Sequence, residues 1–142
     1  SVPLGSAPDL QAETQRYDAM IEQAGGIDIQ LLGLGQNGHI GFNEPDSTFS
    51  YGTQVVTLTK NTIKANRRFF GSEEDVPRQA ISLGIGGIMK ARQIVLIAYG
   101  ISKAQAVRDM IKGPVDPMCP ASVLQLHPDT VILLDAQAAS LL

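Results

Sequence analysis

The pattern of apolar and polar positions predicts a helix near the start of the chain, followed by a short strand. The helix begins after Asp9, a residue type favoured at N-caps, and ends at Gly25-Gly26. Residues 27–34 form a mostly apolar run, which is typical of a strand buried on both faces of a parallel sheet. The apolar face of the helix consists of Leu10, Tyr17, Met20, Ile21 and Ala24.

Strand-like and helix-like segments then alternate to the end of the chain. Ser102-Lys103-Ala104-Gln105 resembles a capping box, so we expect a helix to begin there and to end at Gly113-Pro114. This alternation predicts a layered α/β fold with a mainly parallel sheet and flanking helices. Ligands of such folds bind at the carboxyl ends of strands, which directs attention to the loops after Leu34 and Tyr99. The other predicted strands are 53–58, 80–83, 93–99 and 130–135, and the other helices are 59–70 and 85–91.

Composition narrows the class of protein. The 142 residues are 44% hydrophobic and 18% charged, which suits one folded domain. A net charge of −3 disfavours nucleic acid as a partner, and no apolar run is long enough to cross a membrane. The single cysteine, Cys119, cannot form an intrachain disulfide, and no signal peptide is visible. We therefore expect a cytoplasmic protein.

Residues 33–38 match the pattern G-x-G-x-x-G after a strand, which raises the possibility of a dinucleotide site. Residues 39–45 cannot open the helix that such a site needs, however, and no acidic residue lies between Asp46 and Glu73 to bind a ribose. A dinucleotide site is therefore disfavoured. We expect neither a cofactor nor a metal.

The same loop brings together an amide, an imidazole and a carboxylate, in Asn37, His39 and Glu44. An imidazole titrates near neutrality and can transfer protons, and a neighbouring carboxylate can orient it. This grouping at a predicted strand end favours a catalytic site. The alternative is a structural turn whose histidine bonds only to the backbone.

The basic residues Lys60, Lys64, Arg67 and Arg68 have the pattern of a solvated helix face. Lys103 differs, because a cation in the first turn of a helix opposes the helix dipole unless an anion shares the site. A solvated lysine there is an equally good interpretation. We interpret His127 as a packed or surface histidine and Cys119 as inert.

The stretch from residue 31 to residue 45, which contains GHIGFNEP, closely resembles the signature of the glucosamine-6-phosphate deaminase family. The related 6-phosphogluconolactonases share a Gly-His turn but lack Phe-Asn-Glu-Pro, so they match less well. The resemblance covers essentially the whole chain. It continues through residues 65–70, 76–84, 100–106 and 121–127.

The resemblance implies a Rossmann-like sugar-phosphate isomerase fold and the conversion of glucosamine 6-phosphate and water to fructose 6-phosphate and ammonia, in amino-sugar catabolism. His39 would move the proton that opens the sugar ring, and Glu44 and Asn37 would orient its imidazole. Many members have Asp at the position of Asn37, so an uncharged amide should make His39 a weaker base here. Arg68 and Lys103 match the family's phosphate-binding side chains, and residues 58–80 correspond to a lid over the active site.

Two departures from the family pattern lead to further expectations. The family's Asp-Glu-Tyr motif, which supplies the base for the C2 proton, does not occur in residues 1–142. We therefore expect residues 1–142 to be the C-terminal portion of a single domain that is incomplete at the N-terminus. Gln54 and Val56 stand where allosteric members have basic residues, so we expect no allosteric activation by N-acetylglucosamine 6-phosphate, in a monomer or a homo-oligomer. The alternatives are a 6-phosphogluconolactonase-like hydrolase and a non-catalytic, truncated sugar-phosphate-binding paralogue.

Overall fold

A computed structural model describes residues 2–142, so Ser1, the first residue of the predicted domain, lies outside the described residues. The structure confirms the α/β character of the fold. The helices are α1 (Leu10–Gln23), α2 (Lys60–Asn66), α3 (Ile85–Met89) and α4 (Ala104–Lys112). The strands are β1 (Ile29–Gly33), β2 (Gln54–Thr57), β3 (Gln79–Ser82), β4 (Gln93–Ala98) and β5 (Thr130–Leu134). Short 3₁₀ helices occupy Arg67–Phe69, Ile101–Lys103 and Pro120–Leu126.

The main sheet has the order β1-β4-β5, and both pairings are parallel. Leu32 of β1 pairs with Leu96, which in turn pairs with Ile132 of β5. Residues paired in a parallel sheet share a face, so this row forms the centre of the inner face. The carboxyl ends of β1 and β4 consequently lie side by side, so the two loops that the sequence singles out follow neighbouring strands.

The hydrophobic core lies on one face of this sheet. Ile94, Leu96, Val107 and Met110 are at most 1% exposed, and they pack in one cluster with α3 and the 3₁₀ helix Pro120–Leu126. Successive side chains of a strand point to opposite faces, so the intervening residues form the other face.

That other face is open to solvent among the residues that the structure describes. Ile29 and Leu31 of β1 are 62% and 63% exposed, and Leu133 of β5 is 50% exposed. The prediction that the strand at 27–34 is buried on both faces is therefore wrong for the described residues. The core cluster lies on the side of Leu32, and α1 packs against β2.

Strands β2 and β3 form a separate antiparallel pair, in which Val55 pairs with Ile81. The chain between them contains α2 and the 3₁₀ helix Arg67–Phe69. Asp18 of α1 accepts hydrogen bonds from the backbone and the hydroxyl of Thr53, which fixes the start of β2. The predicted lid is therefore an excursion between two paired strands.

Two predicted helix starts are confirmed and one is wrong. Asp9 accepts from the N–H of Ala12, and Thr59 accepts from the N–H of Thr62, as N-caps do. Ser102 makes no such bond, because it lies inside the 3₁₀ turn Ile101–Lys103, and Lys103 is the N-cap residue of α4. The sequence predicts the helix but not the extra turn before it.

No helix within residues 2–142 has the length and apolar character needed to cross a bilayer.

Candidate active site

The loop after β1 folds back tightly, and Gly35 makes this possible. The N–H of Gly35 donates to the carbonyl of His39 at 2.8 Å, which closes the turn. A Cβ at Gly35 would collide with the His39 imidazole, so only glycine allows the ring to lie against the backbone here. Gly38 has a φ of +84°, a backbone conformation that side-chain-bearing residues rarely adopt.

Asn43 anchors the second half of the loop. It is 4% exposed, and its amide nitrogen donates to the carbonyls of Ile40 and Leu83 at 3.0 and 2.9 Å. Its amide oxygen accepts from Ser50 and from Gln54. All the hydrogen-bonding capacity of this buried amide is therefore used, and Glu44, the next residue, projects from a fixed point.

The three predicted catalytic residues lie in direct contact. The Oδ1 atom of Asn37 is 2.8 Å from Nδ1 of His39, and the Nδ2 atom of Asn37 donates to Oε2 of Glu44 at 2.6 Å. The same carboxylate oxygen lies 3.3 Å from Nδ1 of His39. The cluster that the loop sequence predicts is thus assembled, with the amide between the imidazole and the carboxylate.

This network assigns the tautomer of His39. A carboxylate only accepts, so the NH₂ group of Asn37 must face Glu44 and its oxygen must face His39. The backbone N–H of His39 also points to Oδ1 of Asn37, at 3.3 Å, which fixes the same amide orientation. In the neutral imidazole the proton therefore lies on Nδ1, and Nε2 keeps the lone pair that a base needs.

These residues line an open cavity of about 980 Å³ at the carboxyl end of β1. Lys103 lines the same cavity from the end of β4, and burial lowers the pKa of its ammonium group. A partly desolvated cation in the same cavity as a proton-transfer group suits an anionic ligand. The cavity thus combines His39, Asn37, Glu44 and Lys103.

Arg68 is not among the residues that line this cavity. Its guanidinium lies over the ring of Phe69, 4.7 Å from the centroid, in the 3₁₀ helix after α2. The structure therefore brings Lys103 to the site but leaves Arg68 exposed outside it.

Two further residues of the cavity are unexpected from the sequence. Thr62 is 9% exposed and donates from Oγ1 to Oε1 of Glu44 at 3.0 Å. Lys64, which has the pattern of a solvated residue, is exposed but also lines the cavity. The T-x-x-T spacing of Thr59 and Thr62 signals a helix start, but it gives no indication that the helix lies against Glu44.

A second cavity, of about 280 Å³, lies on the other side of Glu44. Gln54, Val56, Glu44 and Asp46 are among the residues that line it. No lysine, arginine or histidine is among the described residues that line it.

The remaining candidates have structural roles. His127 is 8% exposed; its Nε2 atom is 2.8 Å from the carbonyl of Ala91, and its Nδ1 atom accepts from the N–H of Asp129. Burial raises the pKa of the Cys119 thiol, which agrees with an inert cysteine. Among the side chains described, no three His, Cys, Asp or Glu groups are close enough to hold a metal ion.

Comparison with known proteins identifies the family. Residues 1–133 match the family model described as glucosamine-6-phosphate isomerases/6-phosphogluconolactonase. The chain belongs to this family. A member from Thermoanaerobacter pseudethanolicus, named glucosamine-6-phosphate deaminase, is 56% identical over 99% of this chain and 56% of its own length. A Streptococcus agalactiae member with the same name is 57% identical over 99% of this chain and 60% of its own length.

Solved structures of family members share the fold. That of a monomeric glucosamine-6-phosphate deaminase superposes with a TM-score of 0.94, at 47% identity, over all of this chain and 59% of its own. A 6-phosphogluconolactonase from Leishmania guyanensis superposes with a TM-score of 0.68 at 24% identity, over 90% of this chain and 51% of its own. This second likeness concerns the fold alone. The chain spans somewhat less than two thirds of the length of these relatives.

Proposed function

We propose that this chain contributes the ring-opening and phosphate-binding residues of a glucosamine-6-phosphate deaminase. The observation that carries the proposal is the hydrogen-bonded set His39, Asn37 and Glu44 in a cavity that Lys103 also lines. The name shared by relatives that are 56% and 57% identical supports the same reaction. The substrate class is an amino-sugar phosphate, and the products are fructose 6-phosphate and ammonia.

In this proposal His39 opens the pyranose ring. Its Nε2 lone pair takes the proton of the C1 hydroxyl and returns a proton to the ring oxygen as the C1–O bond breaks. C1 becomes an aldehyde, the C5 oxygen becomes a hydroxyl, and the imidazole ends neutral. Glu44, 3.3 Å from Nδ1, stabilises the transient imidazolium, and the Asn37 amide keeps the imidazole ring of His39 oriented. We assign the later C2 proton transfer to no residue of this chain.

Lys103 is the phosphate ligand that the geometry supports. It stands at the N-cap of α4, where backbone N–H groups and the helix dipole also favour an anion. Arg68 is a second ligand only if the segment 58–80 moves, because its guanidinium now lies over Phe69. Its role, like that of the segment as a lid, stays a prediction.

Ammonia release from glucosamine 6-phosphate tests the proposal. We expect His39→Ala to lower kcat by about 10²–10⁴-fold, the usual contribution of a general acid–base group. Normal turnover in this variant would remove the ring-opening assignment. We expect Arg68→Ala to raise KM with little change in kcat, while Arg67→Ala, the equally exposed neighbour, changes neither.

The two alternatives are outcomes of the same experiments. Hydrolysis of 6-phosphogluconolactone without ammonia release would favour the lactonase. Calorimetric binding of glucosamine 6-phosphate without any turnover would favour a sugar-phosphate-binding protein. A cytoplasmic location and the oligomeric state stay predictions, although the deaminase structure that superposes at a TM-score of 0.94 is described as monomeric.

A further inference from the structure

We propose that Thr62 is a positioning residue for His39, acting through Glu44; this inference rests on the proposed function. Thr62 belongs to α2, whereas His39 and Glu44 belong to the loop after β1. Its Oγ1 atom lies 3.0 Å from Oε1 of Glu44, and its side chain is buried against that carboxylate. The catalytic cluster therefore has a fourth member, which comes from the segment 58–80.

The direction of the hydrogen bonds follows from the chemistry of the groups. An ionised carboxylate only accepts, so the single hydroxyl proton of Thr62 goes to Glu44. Oγ1 of Thr59 lies 2.9 Å from Oγ1 of Thr62 and also accepts from the N–H of Thr62. The Thr59 hydroxyl must therefore donate to Thr62, because the proton of Thr62 is already used. The proton of each of the two hydroxyl groups therefore has a single assigned acceptor.

The two oxygens of Glu44 are then held from opposite sides. Oε2 accepts from Asn37 at 2.6 Å, and Oε1 accepts from Thr62. A carboxylate with a donor on each oxygen cannot rotate about its terminal bond without breaking one of them. That carboxylate and the backbone N–H of His39 together set the orientation of the Asn37 amide, and the amide sets the tautomer of His39. The Thr62 hydroxyl therefore adds to the stability of the form of His39 that has a free Nε2 lone pair.

Without the hydroxyl, Oε1 of Glu44 loses this donor and the carboxylate can turn. The amide of Asn37 is then held in this orientation mainly by the backbone N–H of His39, 3.3 Å from its Oδ1, so the second tautomer of His39 becomes more accessible. This change affects proton transfer more than substrate binding, because Lys103, and not Thr62, supplies the charge for the phosphate. The position of α2 in this way affects the tautomer of the His39 imidazole, through Thr62, Glu44 and Asn37.

The test compares Thr62→Val, which removes the hydroxyl, with Thr62→Ser, which keeps it. The first readout is the tautomer of His39 in the unliganded protein, measured from imidazole ¹⁵N chemical shifts at mildly alkaline pH. We expect the Nδ1–H tautomer in the wild type and in Thr62→Ser, and a mixture in Thr62→Val. The second readout is turnover, for which we expect Thr62→Val to lower kcat about tenfold with KM within about twofold of the wild type.

Two controls separate positioning from a loss of structure. Thr59→Val removes the N-cap of α2 and the donor to Thr62 but leaves the Thr62 hydroxyl itself, so the tautomer should change less than in Thr62→Val. Thr130→Val makes the same chemical change at the amino end of β5, away from the loop after β1. If Thr62→Val does not fold, Thr62→Ala removes the same hydroxyl without a branched side chain.

A single His39 tautomer in Thr62→Val, or an equal change in Thr59→Val, would overturn the inference. The tautomer measurement needs no turnover. If the wild type released no ammonia, the proposed function would fail, yet the ¹⁵N shifts would still decide whether Thr62 orients the imidazole.

Discussion

At the scale of single residues, the site depends on one close approach between a backbone and a ring. The imidazole of His39 lies against Gly35, where a Cβ would collide with it. Gly33, two residues earlier in the same motif, has open space where its Cβ would be. Both glycines belong to the G-x-G-x-x-G pattern, but of the two only Gly35 has no space for a side chain in the structure.

We predict that Gly35→Ala displaces the His39 ring and lowers kcat by about 10²-fold, the order of magnitude for a misplacement of about 1 Å. Gly33→Ala is the matched control and should keep at least half of the wild-type turnover. Steady-state kinetics of both variants make the comparison. Equal losses in the two would show that loop flexibility, not contact with His39, is what glycine provides.

Lys103 gives a prediction about pH. Burial lowers its pKa, so its ammonium loses the proton at a lower pH than an exposed lysine does. The charged form binds a phosphate dianion and the neutral form does not. The affinity for glucosamine 6-phosphate, measured by calorimetry, should therefore fall as pH rises through this lowered pKa.

The Lys103→Arg variant is the control for this pH dependence, because a guanidinium does not deprotonate in proteins. We expect it to retain its affinity across the alkaline range. If the wild type and the variant lost affinity in parallel, a group other than Lys103 would be responsible.

At the scale of elements, the sequence predicts well the capped starts of two helices and the positions of the strands. The Asp9 and Thr59 caps and all five strands are found close to their predicted positions, because these are set by local chemistry. The contact of Thr62 with Glu44 joins residues 18 positions apart and depends on how α2 packs. Local patterns contain no information about such packing.

The same difference between local pattern and tertiary packing explains which features of the sheet and of the site the sequence predicts. An apolar run indicates a strand, but only tertiary structure decides whether Leu31 is covered, and here it is 63% exposed. His39, Asn37 and Glu44 are predictable as a group because one short loop contains all three. Arg68, by contrast, is exposed and lies over the ring of Phe69, an arrangement that the sequence pattern does not reveal.

Helix α1 is tied to the preceding segment by an acid-sensitive contact. Glu13 bonds to the Arg16 side chain and to the backbone N–H of Leu4, and these donors lower its pKa from 4.5 to about 2. A carboxylate whose pKa is lower in the folded state stabilises the fold above its unfolded pKa. That contribution is fully present above pH 4.5 and is lost as pH falls towards 2.

We therefore predict that urea unfolding of the wild type shows a stability loss between pH 4.5 and pH 2 that Glu13→Gln lacks. The variant should be less stable than the wild type near neutrality, and the two should converge in acid. A difference that stays constant over this range would mean that the Glu13 charge does not contribute.

At the scale of the whole molecule, two cavities share Glu44 but differ in charge. Lys103 and Lys64 line the larger cavity, whereas no lysine, arginine or histidine is among the described residues that line the smaller. The smaller cavity therefore offers a sugar phosphate no cationic side chain from its described lining. The expectation drawn from Gln54 and Val56, that the site is not under allosteric control, stays a prediction.

We predict that N-acetylglucosamine 6-phosphate does not activate ammonia release and leaves the substrate saturation curve hyperbolic. The measurement is a set of saturation curves at increasing effector concentration. Competitive inhibition would still fit, since the effector resembles the substrate. A fall in KM or in the Hill coefficient would contradict the prediction.

The open side of the main sheet has a thermal consequence. Ile29, Leu31, Ile97, Val131 and Leu133 all face water there, and contact between water and apolar groups becomes less favourable on warming. A solution of this chain should therefore scatter more light as it is warmed and clear again on cooling. Sulfate should strengthen the effect, whereas clustering through surface ion pairs would be weakened by added salt.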